Sequence, residues 1–194
     1  MAVNSTCLEN DKFGYACYTI VAPAPEELAG PLLEIERTAD QERAKIPGHV
    51  TVKGTFYGIE SLDSLLAAIR TVADRHQPFD LGTEGFEVWE SEHSVILGFT
   101  VNPEIQSLHD DLMAYIGPLG NSAYPDDPYR SHMSIVNEVK PEGVEIAKSR
   151  LAEIYLGEKL RFGSIDLIAR DGLTWGGVWK RVERFELGAG QLTT

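Results

Sequence analysis

The feature that most constrains this 194-residue chain is a short pattern that occurs twice. HVTVKGTF begins at His49 and HMSIV begins at His132, and both alternate polar and apolar residues in the manner of a strand with one wet face. Successive side chains of an extended chain point to opposite faces, so His49 and Thr51 share one face while Val50 and Val52 take the other. The same alternation assigns Lys53 to the row of His49 and Thr51. In the second copy, His132 and Ser134 oppose Met133 and Ile135. A lone His-x-Thr arises easily by chance; two copies at corresponding places in a repeated fold do not.

The surroundings of the two copies repeat as well. The histidines are 83 positions apart, Phe79 and Phe162 each lie 30 positions beyond their histidine, and Val95 and Val178 each lie 46 beyond. The first half reads as a strand FGYACYTIVA (13–22), a helix around PEELAGPLLEIERT, the strand GHVTVKGTFYG and a helix SLDSLLAAIRTVADRH capped by Ser61. Strands FDLGTEGFEVWE and SVILGFTV follow around a turn at Ser91–His93. The order then recurs with the helix NPEIQSLHDDLMAYIG, whose inner face is Ile105, Leu108, Leu112 and Ile116, and the strand SHMSIVNEV. A helix PEGVEIAKSRLAEIYLG and strands LRFGSIDLIAR and GVWKRVERFEL complete it.

A duplicated β-α-β unit explains this economically. It implies an α+β fold: two pseudo-symmetric lobes with mainly antiparallel sheets around a central cleft, forming one domain over 1–194 with a flexible tail at 188–194. No glycine-rich dinucleotide fingerprint follows the first strand, which disfavours a Rossmann sheet.

Composition narrows the partners. A formal charge of −13 repels long polyanions, which argues against extended coating of nucleic acid but leaves room for a small phosphorylated ligand held by local cations. No run approaches the roughly 18 apolar residues of a membrane span, and the N-terminus lacks a basic region followed by an apolar core. A cytoplasmic protein without membrane association is the expectation. Cys7 and Cys17 form neither a disulfide framework nor a zinc motif, and Cys17 sits in an apolar run that suits burial. His76, His93 and His109 lack the repeated placement of the other two, and no compact metal-ligand motif appears, so no cofactor is expected.

Paired histidines suit general acid–base chemistry, in which a nucleophile is deprotonated on one side and a leaving group protonated on the other. Free imidazole titrates near pH 6.5, so two of them supply one base and one acid near neutrality. Hydroxyls such as Thr51 and Ser134 donate hydrogen bonds to nonbridging oxygens, and Lys53 offsets phosphate charge. Arg130, Tyr129 and Trp175 are further candidates for phosphate or base contacts, as are Tyr124 and Trp179; each is equally at home as a surface cation or a packed aromatic.

HVTVKGTF and HMSIV resemble the motifs of the 2H phosphoesterase superfamily, especially its 2′-5′ RNA ligase-like and cyclic-nucleotide phosphodiesterase branches. The resemblance extends through FEVWESEHSVILGFTVNPEIQSLHDDL and the terminal IDLIARDGLTWGGVWKRVERFEL hairpin, although HVTVKGTF departs from the common HxTLxFLG form. It implies a bilobal fold with both motif strands lining a cleft, and metal-independent hydrolysis or reversible ligation of phosphodiesters. His49 and His132 match the catalytic histidines, and Thr51 and Ser134 the phosphate-contacting hydroxyls. The substrate the resemblance implies is a small nucleotide or an RNA end, carrying a 2′,3′-cyclic phosphate or a related phosphodiester. The alternatives are a noncatalytic nucleotide- or RNA-binding module on the same fold, and a metal-dependent hydrolase.

Overall fold

The computed structural model describes residues 10–39, 48–123, 129–171 and 179–191. Among them the chain runs β1 (Cys17–Pro23), α1 (Glu26–Ala39), β2 (His49–Tyr57), α2 (Leu62–Ala73), β3 (Phe79–Trp89) and β4 (Ser94–Phe99). It continues through α3 (Pro103–Ile116), β5 (Asn121–Ser122), β6 (His132–Val136), α4 (Pro141–Leu151), β7 (Lys159–Phe162), β8 (Ser164–Arg170) and β9 (Trp179–Glu186). The strands form one antiparallel sheet in the order β7-β3-β4-β6-β2-β1-β8-β9, with β5 added at the far end of β2.

The two motif strands are neighbours at the middle of this sheet. Exchanging the halves of the chain swaps β2 with β6, β1 with β4, α1 with α3 and α2 with α4. Packing follows the same exchange: α1 lies against α4 and over β6, while α3 lies against α2 and over β2. Phe79 and Phe162, equally distant in sequence from their histidines, face each other across β3 and β7 with ring centroids 5.7 Å apart. This is the α+β, duplicated, antiparallel architecture that the repeat implies, with the strands of both halves joined in one sheet.

The helices cover one face, and the alternation of each strand supplies their core. Tyr18, Ile20 and Ala22 of β1, Val95, Leu97 and Phe99 of β4, Met133 and Ile135 of β6, and Ile165, Leu167 and Ala169 of β8 belong to a single apolar cluster. Ile105, Leu108, Leu112 and Ile116 complete it from α3, as the helical spacing requires. Asn102 caps that helix, its side chain accepting from the Glu104 and Ile105 amides. Ser61 caps α2 through the Ser64 amide.

Three boundaries differ from the sequence pattern. β1 starts at Cys17, because Asp11 folds the preceding residues into a turn by accepting from the Phe13 and Tyr15 amides. α4 stops at Leu151, where bonds three residues apart tighten the chain; Ile154 and Leu156 then pack on the core from a turn. LRFGSIDLIAR is broken at Gly163 into β7 and β8. At the start of the expected tail, the Gly188 amide donates to Ala73 of α2 at 3.0 Å, and a short 3₁₀ turn spans Ala189–Gln191; residues 192–194 lie outside the described part.

Candidate active site

The sheet face opposite the helices carries both motifs. Val50 pairs with Met133, and both point into the core with no exposure. Strand alternation on either side of that pair places His49 and Thr51 of β2 and His132 and Ser134 of β6 on the opposite face. Residues directly opposite in an antiparallel pair are about 5 Å apart at Cβ, and diagonal neighbours about 7–8 Å. His49 and His132 thus lie on neighbouring strands on one face of the sheet, and of the four only His49 lines the adjacent cavity.

Local features hold this quartet. Gly48 precedes His49 where a Cβ would meet the Leu32 Cδ1 and Met133 Sδ side-chain atoms, each at 2.9 Å, so a larger residue would require these side chains to shift. Gly98 lies beside His132 in the next strand. The Trp89 ring packs on the His132 ring with centroids 5.0 Å apart. His132 Nδ1 is 3.0 Å from the Arg130 carbonyl oxygen, which only accepts, so Nδ1 carries a proton and donates it. Nε2 is thereby the atom left to exchange a proton with a ligand.

Lys53 is a correction. β1 and β2 shift register between Val21–Thr51 and Ile20–Lys53, a β-bulge that accommodates Val52 as an extra residue. Lys53 therefore shares the side of its partner Ile20, in the helix-covered core, and leaves the row of His49 and Thr51. It is 2% exposed, its Nζ lies 5.1 Å from the Phe56 ring centroid, and burial lowers its pKa from the ordinary lysine value. A second shift between Tyr18 and Ile20 restores the face, and Thr55 meets Thr19 with hydroxyls 3.2 Å apart.

Tyr129 is also displaced from the role the sequence suggests. Its hydroxyl donates to the Thr51 carbonyl at 3.1 Å, and its ring stacks on His109 at 4.2 Å between centroids. His109 Nδ1 in turn lies 2.7 Å from the Val52 carbonyl. Together they fill the gap where β2 and β6 part company beyond Val50–Met133. Burial raises the Tyr129 phenol well above its ordinary pKa, so it stays a donor. Arg130 is solvent-exposed and pairs with Glu87 at 3.0 Å. Trp175 and Tyr124 lie outside the described residues. Among the described residues no three His, Cys, Asp or Glu side chains gather into a metal-ligand set.

On the His49 side the sheet opens into a cavity of about 620 Å³, within the range of small-molecule sites. His49, Val21, Pro23 and Ile168 line it together with Trp179, Arg161, Arg181 and Arg184. Asp166, 5% exposed, sits among these cations: Arg184 Nε and Nη2 donate to its two oxygens at 2.7 and 2.9 Å, and Arg181 Nη1 lies 3.7 Å from Oδ2. The bond to Asp166 raises the Arg184 pKa and keeps the guanidinium charged. Sequence reading missed Trp89, Asp166, Arg181 and Arg184. Asp166 left a trace, a lone carboxylate in the apolar run IDLIA. The arginines did not, because Arg181 and Arg184 fall on opposite faces of a regular strand. A bulge at Val182, between the pairs Leu167–Glu183 and Ile168–Arg181, turns both to the same face.

The model of the 2′-5′ RNA ligase superfamily matches residues 24–174, which includes both motif strands. The chain belongs to that superfamily, the 2H phosphoesterases. Several solved structures share its fold. TT0787 of Thermus thermophilus aligns with a TM-score of 0.63 at 19% identity, over 89% of this chain and 98% of that one. E. coli LigT complexed with NADP+ aligns with a TM-score of 0.59 at 13% identity, over 88% and 97%. LigT complexed with 3'-AMP gives 0.57 at 15%, over the same shares. No curated protein matches the sequence.

Proposed function

We propose that this 2H phosphoesterase hydrolyses 2′,3′-cyclic phosphate ends of RNA-derived or mononucleotide substrates without a metal ion, using His49 and His132 as a general acid–base pair. The observation that carries the reading is the β2–β6 register, which sets two His-x-Thr/Ser motifs side by side on one face. Membership of a superfamily of phosphoesterases and ligases agrees with it. So does the choice of small nucleotides, NADP+ and 3'-AMP, in the LigT structures of similar fold.

In the proposed reaction one imidazole removes a proton from water as its oxygen bonds to phosphorus. The P–O bond to the ribose 2′ or 3′ oxygen breaks, and the other imidazole protonates the departing alkoxide. The product is a nucleoside monophosphate ester, and the pair ends with its protonation reversed. Thr51 and Ser134 hydroxyls donate to the nonbridging oxygens, whose charge grows in the transition state. His132 is pre-set for its role because Nδ1–H is held by the Arg130 carbonyl.

The test is incubation of adenosine 2′,3′-cyclic phosphate with the purified chain in excess chelator, with products separated by chromatography. A single monophosphate isomer formed at the rate seen without chelator is the expected result. Loss of activity in chelator would assign the chemistry to a metal. Tight nucleotide binding without turnover would assign the fold to a noncatalytic binder.

A further inference from the structure

We infer that the arginine wall of the cavity beside His49 is a second phosphate subsite. The substrate would then be a nucleotide bearing a phosphate at its 5′ position as well as the phosphodiester at its 2′ and 3′ oxygens. The inference rests on the proposed reading that His49 and His132 flank the reacting phosphodiester.

Sheet register supplies the geometry. Thr51 pairs with Val21, Val21 with Asp166, and Asp166 with Arg184, so these residues form one line across β2, β1, β8 and β9, all on the face of the histidines. Arg181 joins the line from one step along β9, opposite Ile168. Three strand spacings of about 4.8 Å separate the Thr51 and Arg184 backbones, and long arginine side chains shorten that span. Between the two ends the floor is apolar: Val21, Pro23 and Ile168. An apolar floor with hydroxyls and imidazoles at one end and guanidiniums at the other suits a nucleoside with phosphate on both sides.

Charge favours the same occupant. Asp166 is nearly buried, while the Arg181 and Arg184 side chains are 56% and 42% exposed. A single carboxylate thus anchors two guanidiniums from below and neutralises only one. Arg184 uses Nε and Nη2 on Asp166 and keeps further N–H donors for a ligand. Arg161, also in the lining, is matched by Asp80 at 3.0 Å, and Glu26 stands exposed at the α1 end of the cavity. In a chain of net charge −13, guanidinium donors of Arg181 and Arg184 lining a cavity next to a candidate phosphoesterase histidine mark an anion site.

Titration calorimetry of the full chain tests this independently of turnover. The probes are adenosine 3′-monophosphate, adenosine 3′,5′-bisphosphate, and the dinucleotide ApAp, in which the 5′ phosphate is an internal phosphodiester. Wild type is expected to bind the bisphosphate or the dinucleotide at least tenfold more tightly than the monophosphate. The better of the two identifies a free nucleotide or an RNA end as the source. Arg181→Gln, at an exposed position, is expected to cut that ratio at least fivefold, and Arg181→Lys to restore part of it. A ratio near one in wild type overturns the subsite. So does a ratio that survives in both Arg181→Gln and Arg184→Gln, since the second phosphate would then be held elsewhere. If cyclic phosphates are not hydrolysed while the ratio behaves as expected, the catalytic reading fails and the subsite stands.

Discussion

Thr51 and Ser134 occupy the same position in two neighbouring strands, each two residues after a histidine. If both hydroxyls hold nonbridging oxygens in the transition state, Thr51→Val and Ser134→Ala should each lower kcat on the order of 10²-fold, the scale for removing one preorganised donor. Steady-state kinetics on a 2′,3′-cyclic nucleotide measures this, and unchanged kcat in either variant would remove that hydroxyl from the site. Lys53 predicts the opposite behaviour. Because burial lowers its pKa, the folded state binds its proton less tightly than the unfolded state does. Its contribution is therefore unfavourable at neutral pH, and is relieved as pH rises through the lowered value toward the ordinary one near 10.5. Lys53→Met, which keeps a soft contact to Phe56, is expected to raise the urea midpoint and abolish that alkaline gain in stability, with KM unchanged. A lower midpoint would mean that the Phe56 contact outweighs the desolvation of the charge.

At the scale of elements, regular alternation is what the sequence displays, and bulges are what it conceals. The core faces of α3 and β6 follow directly from spacing, since Ile105, Leu108, Leu112, Ile116, Met133 and Ile135 all lie in the core. His49, Thr51, His132 and Ser134 share a face for the same reason. Lys53 and the pair Arg181–Arg184 were illegible because each lies just past an inserted residue, and an extra residue inverts every side chain beyond it without leaving a mark in composition. The Tyr129–His109 wedge was equally hidden. It exists because β2 and β6 separate after one pair, leaving the Thr51 and Val52 carbonyls in need of donors from a loop and a helix. Tyr129→Phe deletes the bond to Thr51 and should cost about 1 kcal/mol of stability. Urea denaturation followed by circular dichroism measures it, and a variant as stable as wild type would show that the carbonyl finds another donor.

For the whole molecule, duplication sets the placement of the two motifs. Each half supplies one motif histidine, His49 or His132, and the equivalent strands that carry them are neighbours at the centre of one sheet. If His49 and His132 act as base and acid, the active form holds one proton across the pair and kcat/KM should trace a bell against pH. It falls in acid as the base becomes protonated and in alkali as the acid loses its proton. A profile that rises or falls in one direction only would leave a single titrating group in charge. The most direct test is phosphorus NMR of adenosine 2′,3′-cyclic phosphate turned over by wild type, His49→Ala, His132→Ala and the double variant, with folding checked by circular dichroism. Groups that act as a unit do not lose rate additively. Each single substitution is therefore expected to slow the conversion of the cyclic signal on the order of 10²–10⁴-fold, and the double no more than the worse single. Wild-type turnover in either single variant, or losses that multiply in the double, would contradict the shared site.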